Sequence, residues 1–136
     1  MSLYMLDTDT VSYFVRGKTP SLDARIAKAP IDQLCISAVT RGELLCGLQL
    51  KDGAHRLTQL VERFLSKVQC LPWDAPAATH FASMAAELHK TGARIGSMDT
   101  MIAGHAVAAG AVLVTNNGRH FDRIPELTIE NWTQGH

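Results

Sequence analysis

The chain has 136 residues, 46% hydrophobic and 19% charged, which suits one folded domain with a real core and excludes wholesale disorder. Thirteen Lys and Arg balance thirteen Asp and Glu, so indiscriminate nucleic-acid binding through net charge is excluded, although a local basic rim is not. The apolar runs are far short of a membrane span, and Met1-Ser2-Leu3-Tyr4 lacks the basic start of a secretory signal. The expectation is a cytoplasmic protein with no membrane partner.

Leu3 to Leu6 is a short apolar run without alternation, as in a strand buried on both faces. Thr8 is placed to cap a helix that runs to Arg16 and is ended by Gly17. Pro20 to Ala29 reads as a second, shorter helix, Leu34 to Ser37 as another buried strand, and Thr40 to Leu50 as the helix that follows. After Gly53, the residues Leu57, Leu60, Val61, Phe64, Leu65 and Val68 fall at helical spacing. Gln69 to Leu71 is a short strand. Asp74 then caps an amphipathic helix carrying Ala77, Ala78, Phe81, Met84, Ala85 and Leu88, with Gly92 just beyond it. Met98 to Ala109 is apolar on nearly every side and is expected as a central buried helix, with His105 as a satisfied core histidine. Ala111 to Val114 is a strand, Asn117 to Phe121 a turn or short helix, and Thr128 to Glu130 an edge strand.

Strands that alternate with helices imply right-handed crossovers and a mainly parallel sheet. No repeat, linker or low-complexity tract interrupts the chain. The expected architecture is a single α/β domain over residues 1–136, a three-layer α/β/α sandwich. Cys35, Cys46 and Cys70, odd in number and set among Leu, Ile and Val, read as reduced core thiols. Trp73 and Trp132 read as packing anchors rather than base-stacking platforms. Arg16, Lys18, Arg25 and Lys28 form either a basic rim or a solvated helix face.

Three lone carboxylates break the apolar pattern: Asp7 ends Leu3-Tyr4-Met5-Leu6, Glu43 precedes Leu44-Leu45, and Asp99 precedes Met101-Ile102-Ala103. An ionised carboxylate beside a core is costly unless it is paired or binds a metal. Ligands of open parallel sheets bind at the carboxyl ends of the strands. Asp7, and also Thr115-Asn116-Asn117, come directly after strands. Glu43 lies early in a helix that follows a strand, four residues from both Val39 and Gly47, and Asp99 opens the buried helix. All four elements can therefore point at one end of the sheet. Oxygen ligands without Cys or His suit Mg²⁺ or Mn²⁺, and no two of the six His residues stand three or four apart as in a zinc helix. Such an ion can orient an attacking water and stabilise charge at phosphorus, which makes phosphodiester hydrolysis the natural reaction. A competing reading starts at the same strand: Asp7-Thr8-Asp9-Thr10-Val11 matches the opening motif of haloacid dehalogenase-like phosphatases, with Asp7 as nucleophile and Asp9 as general acid/base. That family needs a downstream Lys and a late acidic pair, and here Lys90 is followed by no adjacent pair.

With Met5-Leu6-Asp7-Thr8-Asp9, Ile36-Ser37-Ala38-Val39-Thr40-Arg41-Gly42-Glu43-Leu44, Ile95 to Ala106 around Asp99, and Leu113-Val114-Thr115-Asn116-Asn117 leading to His120-Phe121-Asp122-Arg123-Ile124 in this order, the chain resembles the PIN-domain ribonucleases. Within them it resembles the VapC toxins of toxin–antitoxin pairs. The resemblance implies an α/β/α sandwich and a Mg²⁺- or Mn²⁺-dependent endoribonuclease acting on RNA, with tRNA among its targets. It also implies a homodimer and a VapB-like antitoxin that blocks the site. Carried over by position, Asp7, Glu43 and Asp99 are the catalytic, metal-binding acids. Asn117 stands where many PIN domains have a fourth acid, with His120 where some relatives place one; Asp122 nearby is expected to face elsewhere. Thr8 and Thr115 are auxiliary candidates that could hydrogen-bond phosphate or the carboxylates, and Asp9 is a further one. A PIN-fold binding module without catalysis is the alternative of a different class, which loss of one of the three acids would have favoured.

Overall fold

The computed structural model describes residues 2–134. Five strands form one sheet in the order β3-β2-β1-β4-β5, where β1 is Leu3–Leu6, β2 is Leu34–Ser37, β3 is Gln69–Leu71, β4 is Ala111–Val114 and β5 is Ile129–Glu130. Every pairing is parallel, with Met5 opposite both Cys35 and Leu113. The expected mainly parallel sheet is therefore wholly parallel, and all its carboxyl ends share one edge.

The helices are α1 (Thr8–Arg16), α2 (Pro20–Lys28), α3 (Ala38–Gln49), α4 (His55–Lys67), α5 (Ala75–Lys90), α6 (Ser97–Ala108) and α7 (Gly118–Phe121), with a 3₁₀ turn at Ile31–Gln33. They cover both faces of the sheet. On one face Met84 and Leu88 of α5 and Ile102, Ala103 and Ala106 of α6 pack with Met5, Cys35 and Leu113. On the other, Val11 and Val15 of α1, Leu22 of α2, Leu44 of α3 and Val61 of α4 pack with Leu6, Ile36 and Val114. Alternate strand residues feed opposite cores, which explains the unbroken apolar runs. The α5–α6 contact is close because residue 104 is Gly. A Cβ there would lie 2.7 Å from the backbone nitrogen of Phe81.

Several local expectations are corrected. Asp7, not Thr8, caps α1: its side chain accepts from Thr10 N, and Thr8 is the first helical residue. Helix α3 begins at Ala38 rather than Thr40, because the Ser37 hydroxyl accepts from Val39 N and starts the helix directly at the strand end. Of the three free cysteines only Cys35 is buried. Cys46 lies on the outer side of α3 and Cys70 on the outermost strand, so neighbouring apolar residues misled the expectation. Burial pushes the Cys35 thiol up to about 12. Arg25 does not join a rim with Arg16: it pairs with Glu130 at 3.3 Å and lies over the Trp132 ring at 4.6 Å. Trp132 is buried against Tyr4, and Trp73 packs edge-on to Phe81 while its indole N–H donates to Met101 O. Both tryptophans are packing anchors, as expected. Among the described residues no helix is long and apolar enough to cross a membrane.

Candidate active site

Asp7 follows β1 directly, and its backbone N–H donates to Val114 O of the neighbouring strand. That places its carboxylate at the carboxyl edge of the sheet, where it is only 4% exposed. Burial raises the Asp7 carboxyl above the ordinary carboxylate range. Hydrogen bonds from Thr115 and Thr10 oppose this, and the nearby charge of Asp9 adds to it. Thr115 closes β4, is buried, and also accepts from Asn117 N at 3.0 Å, so one hydroxyl ties the strand end to both Asp7 and the following turn.

Glu43 sits half-buried on α3. Thr8 Oγ1 donates to its Oε1 at 2.6 Å and lies 3.2 Å from Thr40 Oγ1. A hydroxyl has one proton, so with the Thr8 proton on the carboxylate the Thr40 hydroxyl is the donor of the second contact. Thr8 thereby links α1 to α3 and orients Glu43.

Asp99 lies in the first turn of α6. Burial raises its carboxyl, and the negative charges of Asp7, Glu43 and Asp9 raise it further, against a smaller opposing effect of His120. The acids so far apart in sequence are therefore within electrostatic reach of each other. Asp9 is exposed at the outer side of this group. His120 Nδ1 lies 3.8 Å from Asp99 Oδ2 and 2.9 Å from Asn117 Nδ2, so the Asn117 amide reaches Asp99 through His120. Asp122 is exposed at the end of α7 and outside the group, as expected. Sequence reasoning placed His120 only as a substitute for an acid; its contact with both Asn117 and Asp99 needed the fold of α7.

No lysine or arginine pairs with Asp7, Glu43 or Asp99 among the described residues, where Arg25 pairs with Glu130 and the Asp99 carboxylate has the His120 ring as its neighbour. As the side chains stand, no three Asp, Glu, His or Cys groups among the described residues converge tightly enough to hold an ion. Asp7 is held by Thr10 and Thr115, and Glu43 by Thr8. The donor set fits a hard divalent ion nonetheless: it is all oxygen and short of positive charge, and the negative neighbours that raise Asp99 beyond the effect of burial are charges a cation would offset. Asp7, Glu43 and Asp99 are the residues that would hold it.

The PIN domain family matches residues 4–127. Over 132 residues the chain is 39% identical to a tRNA(fMet)-specific endonuclease VapC of Salmonella typhimurium, covering 97% of this chain and 99% of that protein. It is 38% identical to the protein of the same name from Shigella flexneri, covering 98% of this chain and 100% of that one. The crystal structure of DNA-bound VapBC from Salmonella typhimurium superposes with a TM-score of 0.90 at 39% identity, covering 97% of this chain and 99% of that chain. The chain belongs to the PIN-domain family. Its relatives there are the VapC proteins, and the phosphatase alternative on Asp7 and Asp9 falls away. Lys90, which that reading needed, is exposed at the far end of α5.

Proposed function

We propose that this chain is a metal-dependent endoribonuclease, the toxin of a toxin–antitoxin pair, and that a VapB-like antitoxin inhibits it. The observation that carries the reading is the group of Asp7, Glu43 and Asp99 at one sheet edge, without cationic partners, in a full-length relative of VapC ribonucleases. Mg²⁺ or Mn²⁺ bound there would supply the Lewis acidity that orients water and offsets charge at phosphorus. The chain's own residues do the rest. Asp7 and Asp99 fix two oxygens at the sheet edge. Thr8 orients Glu43, and Thr115 holds Asp7 in place. Asn117 and His120 offer neutral polar groups beside Asp99 where a fourth acid would add charge.

The substrate we assign is RNA, with tRNA(fMet) first in line because the Salmonella and Shigella relatives bear that name. The site is locally negative in a protein of zero net charge, so the antitoxin is expected to insert a basic side chain among the acids, which Arg does bidentately. We also propose a homodimer: exposed Leu50 and Met98 flank an apolar cavity of about 550 Å³ beside Glu43 that suits a protein partner. Exposed, unpaired Cys46 and Cys70 suit the reducing cytoplasm.

The test is cleavage of a tRNA(fMet) transcript with Mg²⁺, with Mn²⁺ and after exhaustive chelation. Cleavage only with metal, leaving 5′-phosphate and 3′-hydroxyl ends, is expected. Full activity after chelation, or a 2′,3′-cyclic phosphate, would sink the mechanism.

A further inference from the structure

Helices α1 and α3 line one hollow of about 90 Å³ with two matching stripes, each stepping four residues at a time. Thr8, Ser12 and Arg16 come from α1. Glu43 and Gly47 come from α3, and Lys51, just past its end, continues them. Both helices start at the carboxyl edge of the sheet, where Thr8 donates to Glu43 at 2.6 Å. Glu43 thus belongs both to the acid group and to the hollow. Eight residues of helix carry the stripes roughly 12 Å from the acids to Arg16 and Lys51. Both cations are exposed, and neither has a carboxylate partner among the described residues. Gly47 stands between the two ends. A Cβ there would meet nothing within 4 Å, so no close contact inside the chain calls for glycine, which weakens a helix relative to Ala. Its bare backbone keeps the passage from Glu43 to Lys51 open. One water needs roughly 10–15 Å³, so the hollow has room for the oxygens of a phosphate group but not for a base.

The acid group deals with the phosphate that is cut, but a nucleic-acid strand carries a negative charge at every further nucleotide, and affinity comes from cations that meet those charges. Two unpaired cations on one hollow repel each other, and an anion between them turns that repulsion into attraction on both sides. We propose that the groove between α1 and α3 leads the RNA backbone away from the cut, with one of its phosphates seated between Arg16 and Lys51. Arg16 and Lys51 donate charge-assisted hydrogen bonds to it, and the Ser12 hydroxyl lies along the path. The proposal rests on the ribonuclease reading above. It makes Arg16 and Lys51 binding residues that set affinity for the strand and leave the chemical step to the acids.

The experiment is steady-state cleavage of the tRNA(fMet) transcript over a range of salt by the parent, Arg16→Ala, Lys51→Ala, the double variant, Arg16→Lys and Lys90→Ala. Lys90 is exposed at the far end of α5 and controls for loss of one positive charge anywhere on the protein. Each single alanine variant in the groove should raise KM about fivefold, and the double variant about tenfold or more, with kcat within about twofold. The slope of log KM against log salt should fall by about one in the double variant. Arg16→Lys should keep most of the parental KM, and Lys90→Ala should leave both KM and slope as in the parent. Arg16 and Lys51 also lie near the carboxyl ends of their helices, where a cation favours the helix itself. A lowered melting temperature with parental KM and slope in the double variant would reduce them to that role and overturn the groove, leaving the ribonuclease reading intact. An equal rise of KM in Lys90→Ala would overturn it as well, because net charge would then account for the effect. A parent that leaves the transcript intact would overturn the substrate reading and the groove with it.

Discussion

The molecule buries two polar centres on neighbouring elements, and they differ in charge balance. One is the acid group at the sheet edge. The other is the pair His105–Ser37, deep between α6 and β2, with the His105 Nδ1 at 2.7 Å from the Ser37 hydroxyl. His105 is neutral: burial lowers its pKa, against smaller opposing effects of Asp74 and the Pro72 carbonyl. The ring thus donates toward Pro72 and accepts from Ser37, while the Ser37 oxygen accepts from Val39 N. Every group in that centre is partnered and uncharged, as a structural polar contact must be in a low-dielectric interior. The acids at the sheet edge are charged, raised and without cations. A buried centre that is satisfied holds a fold together; one that is left short of charge is built to take something in.

The sharpest way to break this contrast is Asp99→Asn. It keeps shape but removes a charge the ion needs, so cleavage should fall by roughly a hundredfold or more while the protein still folds. Melting temperature without metal should rise, because repulsion from Asp7 and Glu43 is relieved. Rate and melting curves on the same preparation check both halves, and parental cleavage would remove Asp99 from the site.

His105→Ala should do the reverse. Losing a buried side chain and leaving Ser37 without its acceptor should destabilise the fold by about 2–4 kcal/mol. Metal affinity of the folded fraction should change much less than in Asp99→Asn. Denaturant unfolding and metal titration separate the two, and a large loss of affinity at full stability would assign His105 to the site instead.

A pH series tests the charge imbalance itself. Asp7 and Asp99 have folded pKa values raised above their unfolded ones, so the folded state binds these protons more tightly. Their contribution to metal-free stability is therefore present at low pH and is lost as pH rises from the ordinary carboxylate range through the raised values. Melting temperature in chelator, compared between the parent and Asp99→Asn, should show the parent gaining more on acidification from about pH 7 to about pH 4. Equal slopes would mean that the acids are not coupled. Saturating Mg²⁺ should reverse the trend, since it favours the ionised forms.

The smallest effect is expected from Asn117→Asp. It adds a charge beside His120 and Asp99 and should tighten metal binding by about tenfold or less, with some loss of metal-free stability. Unchanged affinity would leave His120, 3.8 Å from Asp99, as the neighbour that matters.

The sequence by itself determined the order of strands and helices, the parallel sheet, and the three acids that deserved suspicion. Apolar runs four residues long cannot tolerate Asp7 or Asp99 beside them without a reason, and such a mismatch is visible in one dimension. The sequence also showed His105 as core, since its helix is apolar on every side. Other features depended on side chains that meet only after folding. Thr8 reaches Glu43 across 35 positions and His105 reaches Ser37 across 68. No spacing rule covers such distances, because a hydrogen bond needs a place in space and not a place in the chain. For the same reason Cys46 and Cys70 were misjudged: their neighbours in sequence are apolar, but exposure is set by what packs from outside. Tertiary structure alone decided that Asp7 caps α1 and that the His120 ring stands beside both Asn117 and Asp99. Periodicity fixes which face of an element is buried; only packing fixes what that face confronts.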